Sequence, residues 1–90
     1  MSKVIITVLG KDTVGIIAKV CTYLASTDIN ILDISQTIVN EYFNMMMIVD
    51  MQKANKQLGE INDDLNKLGG EIGVTIKAQR EEIFTSMHRI

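Results

Sequence analysis

The residues best placed to do chemistry lie between Val8 and Val20, V-L-G-K-D-T-V-G-I-I-A-K-V, where an apolar run gives way to an amphipathic one. A strand that enters a helix through a short loop with two glycines leaves the first N–H groups of the helix without intrahelical acceptors. Those donors carry the positive end of the helix dipole and suit a carboxylate or other small anion. Asp12 stands in the same loop, where it could hold an ammonium while the amides hold a carboxylate. That chemistry is recognition of a small zwitterion, an amino acid, rather than catalysis. The spacing alone is equally satisfied by a turn that needs glycine and a cap, with Thr13 or Asp12 as the N-cap and nothing bound.

The remaining reactive side chains assemble no second site. Cys21 falls on the apolar stripe of the first helix, where a small packed thiol is the ordinary case, and no histidine is near it in sequence to activate it. His88 is the sole histidine and belongs to the terminal segment, where a surface or interface contact is the default. Met45, Met46 and Met47 are adjacent on a strand, so their thioethers point to opposite faces and cannot converge on a soft metal. The pairs Asp63-Asp64 and Glu81-Glu82 read as solvated helix surface. No acid–base pair accompanies a nucleophile, so the expectation is a protein that is not an enzyme and uses no metal and no cofactor.

Composition narrows the partners. Ninety residues with a formal net charge of −2 describe one domain over 1–90, small enough that help from a partner chain is plausible. The mild negative charge gives no affinity for phosphate backbones or acidic lipid surfaces, so neither nucleic acid nor membrane is expected as a partner. A single cysteine and no signal peptide fit a reducing, cytoplasmic setting. The apolar run Val4 to Leu9 is far short of the about 20 residues a spanning helix needs.

Several elements must position the loop. Lys3 to Leu9 is apolar on both alternating sets, the mark of a central strand covered on both sides. A helix follows from near Val14, with Val14, Ile17, Val20, Cys21 and Leu24 on one stripe and Lys19, Thr22 and Ser26 opposite. Ile29 to Val39 is rich in β-branched residues and reads as a strand, with its alternation slipping near Asp33 as at a bulge. Asn40-Glu41 suits a tight hairpin turn. The return strand, Tyr42 to Met51, puts Phe43, Met45, Met47, Val49 and Met51 on one face and Met46 and Ile48 on the other, and reads as central. A second helix carries Ala54, Leu58, Ile61, Leu65 and Leu68 on one face and closes at Gly69-Gly70. Glu71 to Gln79 alternates as an edge strand with one wet face should. A terminal extension over 79–90, with Ile83, Phe84, Met87 and Ile90 on one side, reads as a short helix that docks on something.

The order strand, helix, strand, strand, helix, strand predicts an α+β, ferredoxin-like βαββαβ fold: a four-stranded antiparallel sheet with both helices on one face. That fold hosts many functions, and this sequence excludes several of them. An RNA-binding module stacks bases on aromatics of its central strands, and here there are only Tyr42 and Phe43 at the start of one. A metallochaperone needs cysteines in the first loop, which has none. An acylphosphatase-like enzyme needs a phosphate-holding arginine there, where this chain offers Lys11 beside an opposing acid.

Three motifs carry a resemblance: G-K-D-x-x-G-I-I-A after the first strand, N-I-L-D-I-S-Q-T opening the second, and I-F-x-x-M-H-R-I at the end. The chain resembles the ACT domain family, specifically the small free-standing ACT proteins, which are similar to segments of phosphoserine phosphatases and of glycine-cleavage regulators. The resemblance implies a regulatory module that binds a small molecule, commonly an amino acid, and associates side by side as a dimer or higher homo-oligomer. Carried over, Gly10, Lys11, Asp12, Gly15 and Ile16 would form one wall of the ligand pocket. Asn30 and Ile31 would form the other, contributed by a neighbouring subunit. The family's loop often has a proline or arginine where this chain has Thr13-Val14, which leaves the loop less rigid. With no enzyme attached in the chain, the output would pass through oligomer state or through a partner enzyme or regulator. The alternative is an interaction module with no ligand.

Overall fold

A computed structural model describes residues 3–11 and 15–82. Six elements follow one another: β1 (Lys3–Lys11), α1 (Ile16–Ser26), β2 (Asn30–Val39), β3 (Tyr42–Asp50), α2 (Leu58–Ile72) and β4 (Val74–Arg80). The four strands form one antiparallel sheet in the order β2-β3-β1-β4, so the two strands apolar on both faces are the central ones. β4 lies at an edge, as its clean alternation predicts. The expected terminal helix falls at Ile83 to Ile90 outside the described residues.

Period-two alternation puts Val4, Ile6 and Val8 of β1, Phe43, Met45, Met47 and Val49 of β3, and Val74, Ile76 and Ala78 of β4 on one buried face. Ile16, Val20 and Leu24 of α1 and Ile61 and Leu65 of α2 close over them. Burial of this kind contributes about 25 cal/mol per Å² of apolar surface and is the main driving force for the fold. The predicted stripe of α1 is corrected by one position: Ile16 is buried, while Ile17 is 36% exposed and Cys21 is half-buried. The helix begins at Ile16, and stepping by four from there selects Val20 and Leu24. Val14 lies outside the described residues.

The helix ends are also corrected. The N-cap of α1 is Gly15, in the left-handed region at φ 87°, rather than Thr13 or Asp12. α2 does not stop at Gly69-Gly70 but runs to Ile72 and is capped by Gly73 at φ 78°. Gly69 is a helix-interior glycine for a packing reason: a Cβ there would come within 2.5 Å of the Val74 carbonyl oxygen. Ala54 precedes α2 instead of belonging to it, though it still packs on the core.

The anticipated slip in β2 is a register shift between Ile31 and Asp33. Asn40 and Glu41 both have positive φ, 48° and 73°, which is the backbone of a two-residue hairpin whose twist matches its strands. The helix layer stops short of β2, so that Ile34 and Ile38 remain exposed although their β3 partners Met47 and Phe43 are buried. On the sheet's other face Ile5 is buried, while Leu9, Met46, Val39 and Tyr42 are exposed.

Candidate functional site

All but one of the residues predicted to line a pocket are among the described residues. Gly10 is not in the loop: it lies within β1, paired with Phe43 and Val74. A Cβ there would sit 2.8 Å from the Val74 side chain, so close strand packing already requires glycine at this position. Lys11 is the last residue of β1, exposed and opposite Tyr42. Asp12 falls outside the described residues. Gly15 provides the left-handed turn into α1, with open space where a Cβ would be.

The first intrahelical bond of α1 runs from the Lys19 N–H to the Gly15 carbonyl at 2.9 Å. Helix geometry therefore leaves the N–H groups of Ile16, Ile17 and Ala18 without acceptors in the helix, and among the described residues nothing else accepts from them. The Ile16 side chain is turned into the core, so this residue offers a ligand its backbone alone. Ile31 likewise packs on the core. Asn30, in contrast, is exposed at the head of β2, opposite Asp50.

These two groups are at opposite ends of one chain. β1 and β2 each pair antiparallel with β3, which makes them parallel to each other and puts both of their first residues at the same end of the sheet. Gly10 and Lys11 lie at the far end. Nine residues of β1 at about 3.3 Å per residue separate the ends by roughly 26 Å. The loop and Asn30 cannot touch one ligand within a single chain.

Around Asn30 the structure adds two groups that sequence reasoning missed. A cleft of about 420 Å³ is lined by Asp28, Ile29, Asn30 and Lys53. It sets an acid, a carboxamide and an ammonium along one rim. Asp28 is in the left-handed region at φ 58° and accepts from the Asn55 carboxamide at 3.3 Å. The only available signal for Lys53 was register, since the pairing of Asn30 with Asp50 brings the start of the β3–α2 loop to the head of β2.

A third polar group lies on the outer side of the helices. The Tyr23 hydroxyl donates to Asp64 Oδ2 at 2.5 Å, and Lys56 Nζ reaches the same oxygen at 2.6 Å. The lysine's hydrogen bond, with the phenol's behind it, holds the Asp64 carboxyl below the usual carboxylate range. Burial, then the contact with Asp64, pushes the Tyr23 phenol well above its ordinary value. Among the described residues no group of His, Cys, Asp and Glu is placed to hold a metal, and no helix is long and apolar enough to cross a membrane.

The four-stranded βαββαβ architecture defines the ferredoxin-like class of fold, and comparison with known proteins gives the family. A family model described as the ACT domain matches residues 2–79. A UPF0237 protein of Bifidobacterium longum is 63% identical over 90 residues, the whole of both chains. Among solved structures, an ACT domain protein from Streptococcus pneumoniae superimposes with a TM-score of 0.81 at 38% identity, over 92% of this chain and 93% of that one. The regulatory subunit of aspartate kinase from Thermus thermophilus, in its ligand-free form, superimposes with a TM-score of 0.67 at 25% identity, over 88% of this chain and 51% of that one. The chain belongs to the ACT domain family.

Proposed function

We propose that this protein is a non-catalytic regulatory module that binds an amino acid in a pocket shared between two subunits and acts through its oligomeric state or a partner protein. The observation that supports the proposal is that Lys11, at the end of β1, and Asn30, at the head of β2, lie at opposite ends of the sheet. β2 is an edge strand parallel to β1. When two copies meet along β2 in antiparallel fashion about a twofold axis, the head of each β2 comes to the tail of the other. Asn30 of one copy is thereby carried to the Gly10–Ile16 end of its neighbour. The ligand's carboxylate is then held by the free amides of Ile16 to Ala18, and its ammonium by Asp12, while the Asn30 carboxamide both donates and accepts. The Lys53 ammonium and the Asp28 carboxylate arrive with Asn30 and match the same pair of charges. Gly15 lets the backbone approach without a side chain in the way.

Membership in the ACT family supports regulation in general, and the Thermus thermophilus neighbour is itself a regulatory subunit. A cytoplasmic location accords with the chain's one half-buried thiol. The test is calorimetry against a panel of free amino acids, with the wild-type chain and the Asp12→Ala and Asn30→Ala variants. Binding of one amino acid that each substitution weakens by at least tenfold is the expected result; no heat with any of them would overturn the reading. The exposed set Leu9, Val39, Tyr42 and Met46 favours the second reading, a docking module with no ligand. In that case charged substitutions at those positions would abolish assembly, and loop substitutions would change nothing.

A further inference from the structure

The two edges of the sheet are not equivalent, and the difference comes from one side chain. Asn62, in the second turn of α2, turns its carboxamide onto β4: its Nδ2 donates to the Ala78 carbonyl at 2.8 Å, and its Oδ1 accepts from the Ala78 N–H at 2.9 Å. Ala78 is opposite Ile6 of β1. Because both of its backbone groups go to Asn62, this pair is a non-hydrogen-bonded one, and the N–H and carbonyl of Ala78 face away from the sheet. They are the groups an added antiparallel strand would use. The Asn62 carboxamide satisfies both at once, as a peptide unit of such a strand would.

The rest of the helix supports this contact. Two turns beyond Asn62, on the same side of α2, stands Gly69, and α2 packs along β4 so closely that no Cβ fits between Gly69 and the Val74 carbonyl. Asparagine is a poor helix former in mid-helix and glycine a poorer one. Here α2 accepts both, and both are directed at β4. β2 has no such cover. Among the described residues, the one side-chain contact to its backbone is local, from the Ile34 N–H to the Asp33 carboxylate beside it, and every residue of β2 except Ile31 is exposed.

We propose that Asn62 closes the β4 edge against strand addition, so that the sheet can be extended by a second copy of this chain at β2 only. A sheet with one open edge pairs once about a twofold axis and is finished. A sheet with two open edges can alternate β2–β2 and β4–β4 contacts without limit, which is the hazard unprotected edges carry. This inference is independent of any ligand.

Sedimentation at rising protein concentration tests it. The wild-type mass is expected to reach a plateau. Asn62→Ala, which keeps the helix because Ala is the best helix former, is expected to continue past that plateau to at least twice its mass. Adding Ala78→Pro, which removes the freed N–H at an edge position where proline is tolerated, is expected to restore the plateau. An Asn62→Ala protein with a native circular dichroism spectrum and the wild-type plateau would overturn the proposal. A second measurement needs no variant. The Ala78 amide of the wild-type protein should exchange slowly, at a rate independent of concentration. Exchange that slows as the concentration rises would show another strand, not Asn62, on that edge, and would overturn the proposal as well.

Discussion

Asp64 ties three parts of the chain together, taking a hydrogen bond from Tyr23 on α1 and an ion pair from Lys56 ahead of α2. Its depressed acidity makes this cluster a source of pH-dependent stability. A carboxyl lowered in the folded state contributes fully above its unfolded value of about 3.9, and the contribution is lost as pH falls through the folded value. Tyr23 and Lys56 are both raised, so their share is present below about pH 10 and is lost as pH climbs past it. The urea midpoint should therefore be flat between these limits and fall on either side. Asp64→Asn should blunt the acid limb and Tyr23→Phe the alkaline one. The lysine and aspartate side chains are 39% and 34% exposed, so the effect is modest and shrinks with added salt. A midpoint in which both variants track the wild type at every pH would remove the cluster from the stability of the fold. Nothing in the sequence near Asp64 announces this role, because its partners are 41 and 8 residues away.

At the scale of elements, strand and helix identity was legible because period and turn chemistry agreed. Both central strands, the hairpin at Asn40-Glu41, the slip in β2 and the edge position of β4 were readable from alternation and turn residues. The ends of the helices were less so. Gly69-Gly70 resembles a C-cap in sequence, but Gly69 is set by the approach of β4, a tertiary fact, and Gly73 supplies the left-handed residue. The end of α1 shows the same limit: Ile29 donates to the Leu24 carbonyl at 3.0 Å and Asp28 to that of Ala25 at 3.2 Å, the paired bonds of a Schellman motif built on Asp28 where glycine is usual. Leu24 is fully buried and Ile29 nearly so, which supplies the apolar contact that accompanies the motif. Leu24→Ala should cost about 2–5 kcal/mol in denaturant unfolding. The hairpin offers the opposite change. Glu41 holds φ 73° with a side chain in the way, so Glu41→Gly should stabilise by up to about 1 kcal/mol, since left-handed backbone costs a non-glycine residue about 1–2 kcal/mol. A destabilised Glu41→Gly protein would mean that the Glu41 side chain makes a contact worth more than the strain.

At the scale of the whole molecule, the β1–α1 turn and Asn30 lie at opposite ends of a sheet whose edge strands are β2 and β4. The turn into α1 was legible in the sequence from Gly15, which supplies its left-handed residue, whereas Gly10 belongs to β1. The separation of that turn from Asn30 by the length of the sheet was not legible, because it depends on β2 being parallel to β1 two strands away. Lys53 beside Asn30 was missed for the same reason: two segments, Asp28 to Asn30 and the start of the β3–α2 loop, meet there only through register. The arrangement proposed to unite the two ends uses β2, the edge that the Asn62 proposal leaves for pairing. Among the described residues, the apolar side chains exposed on β2 and on the helix-free face are Leu9, Leu32, Ile34, Ile38, Val39, Tyr42 and Met46, and the proposed association would cover them.

Subunit complementation tests the shared pocket most directly. Asp12→Ala and Asn30→Ala chains are prepared separately, each shown to bind the amino acid at least tenfold more weakly than the wild type, then unfolded together in equal amounts and refolded. A heterodimer of the two holds one doubly altered pocket and one with both walls intact. With half the dimers mixed, calorimetry should recover about one quarter of the wild-type number of sites at wild-type affinity. If the mixture binds no more than either variant alone, while native mass measurement shows that mixed dimers have formed, the two walls do not belong to different subunits and the account is wrong.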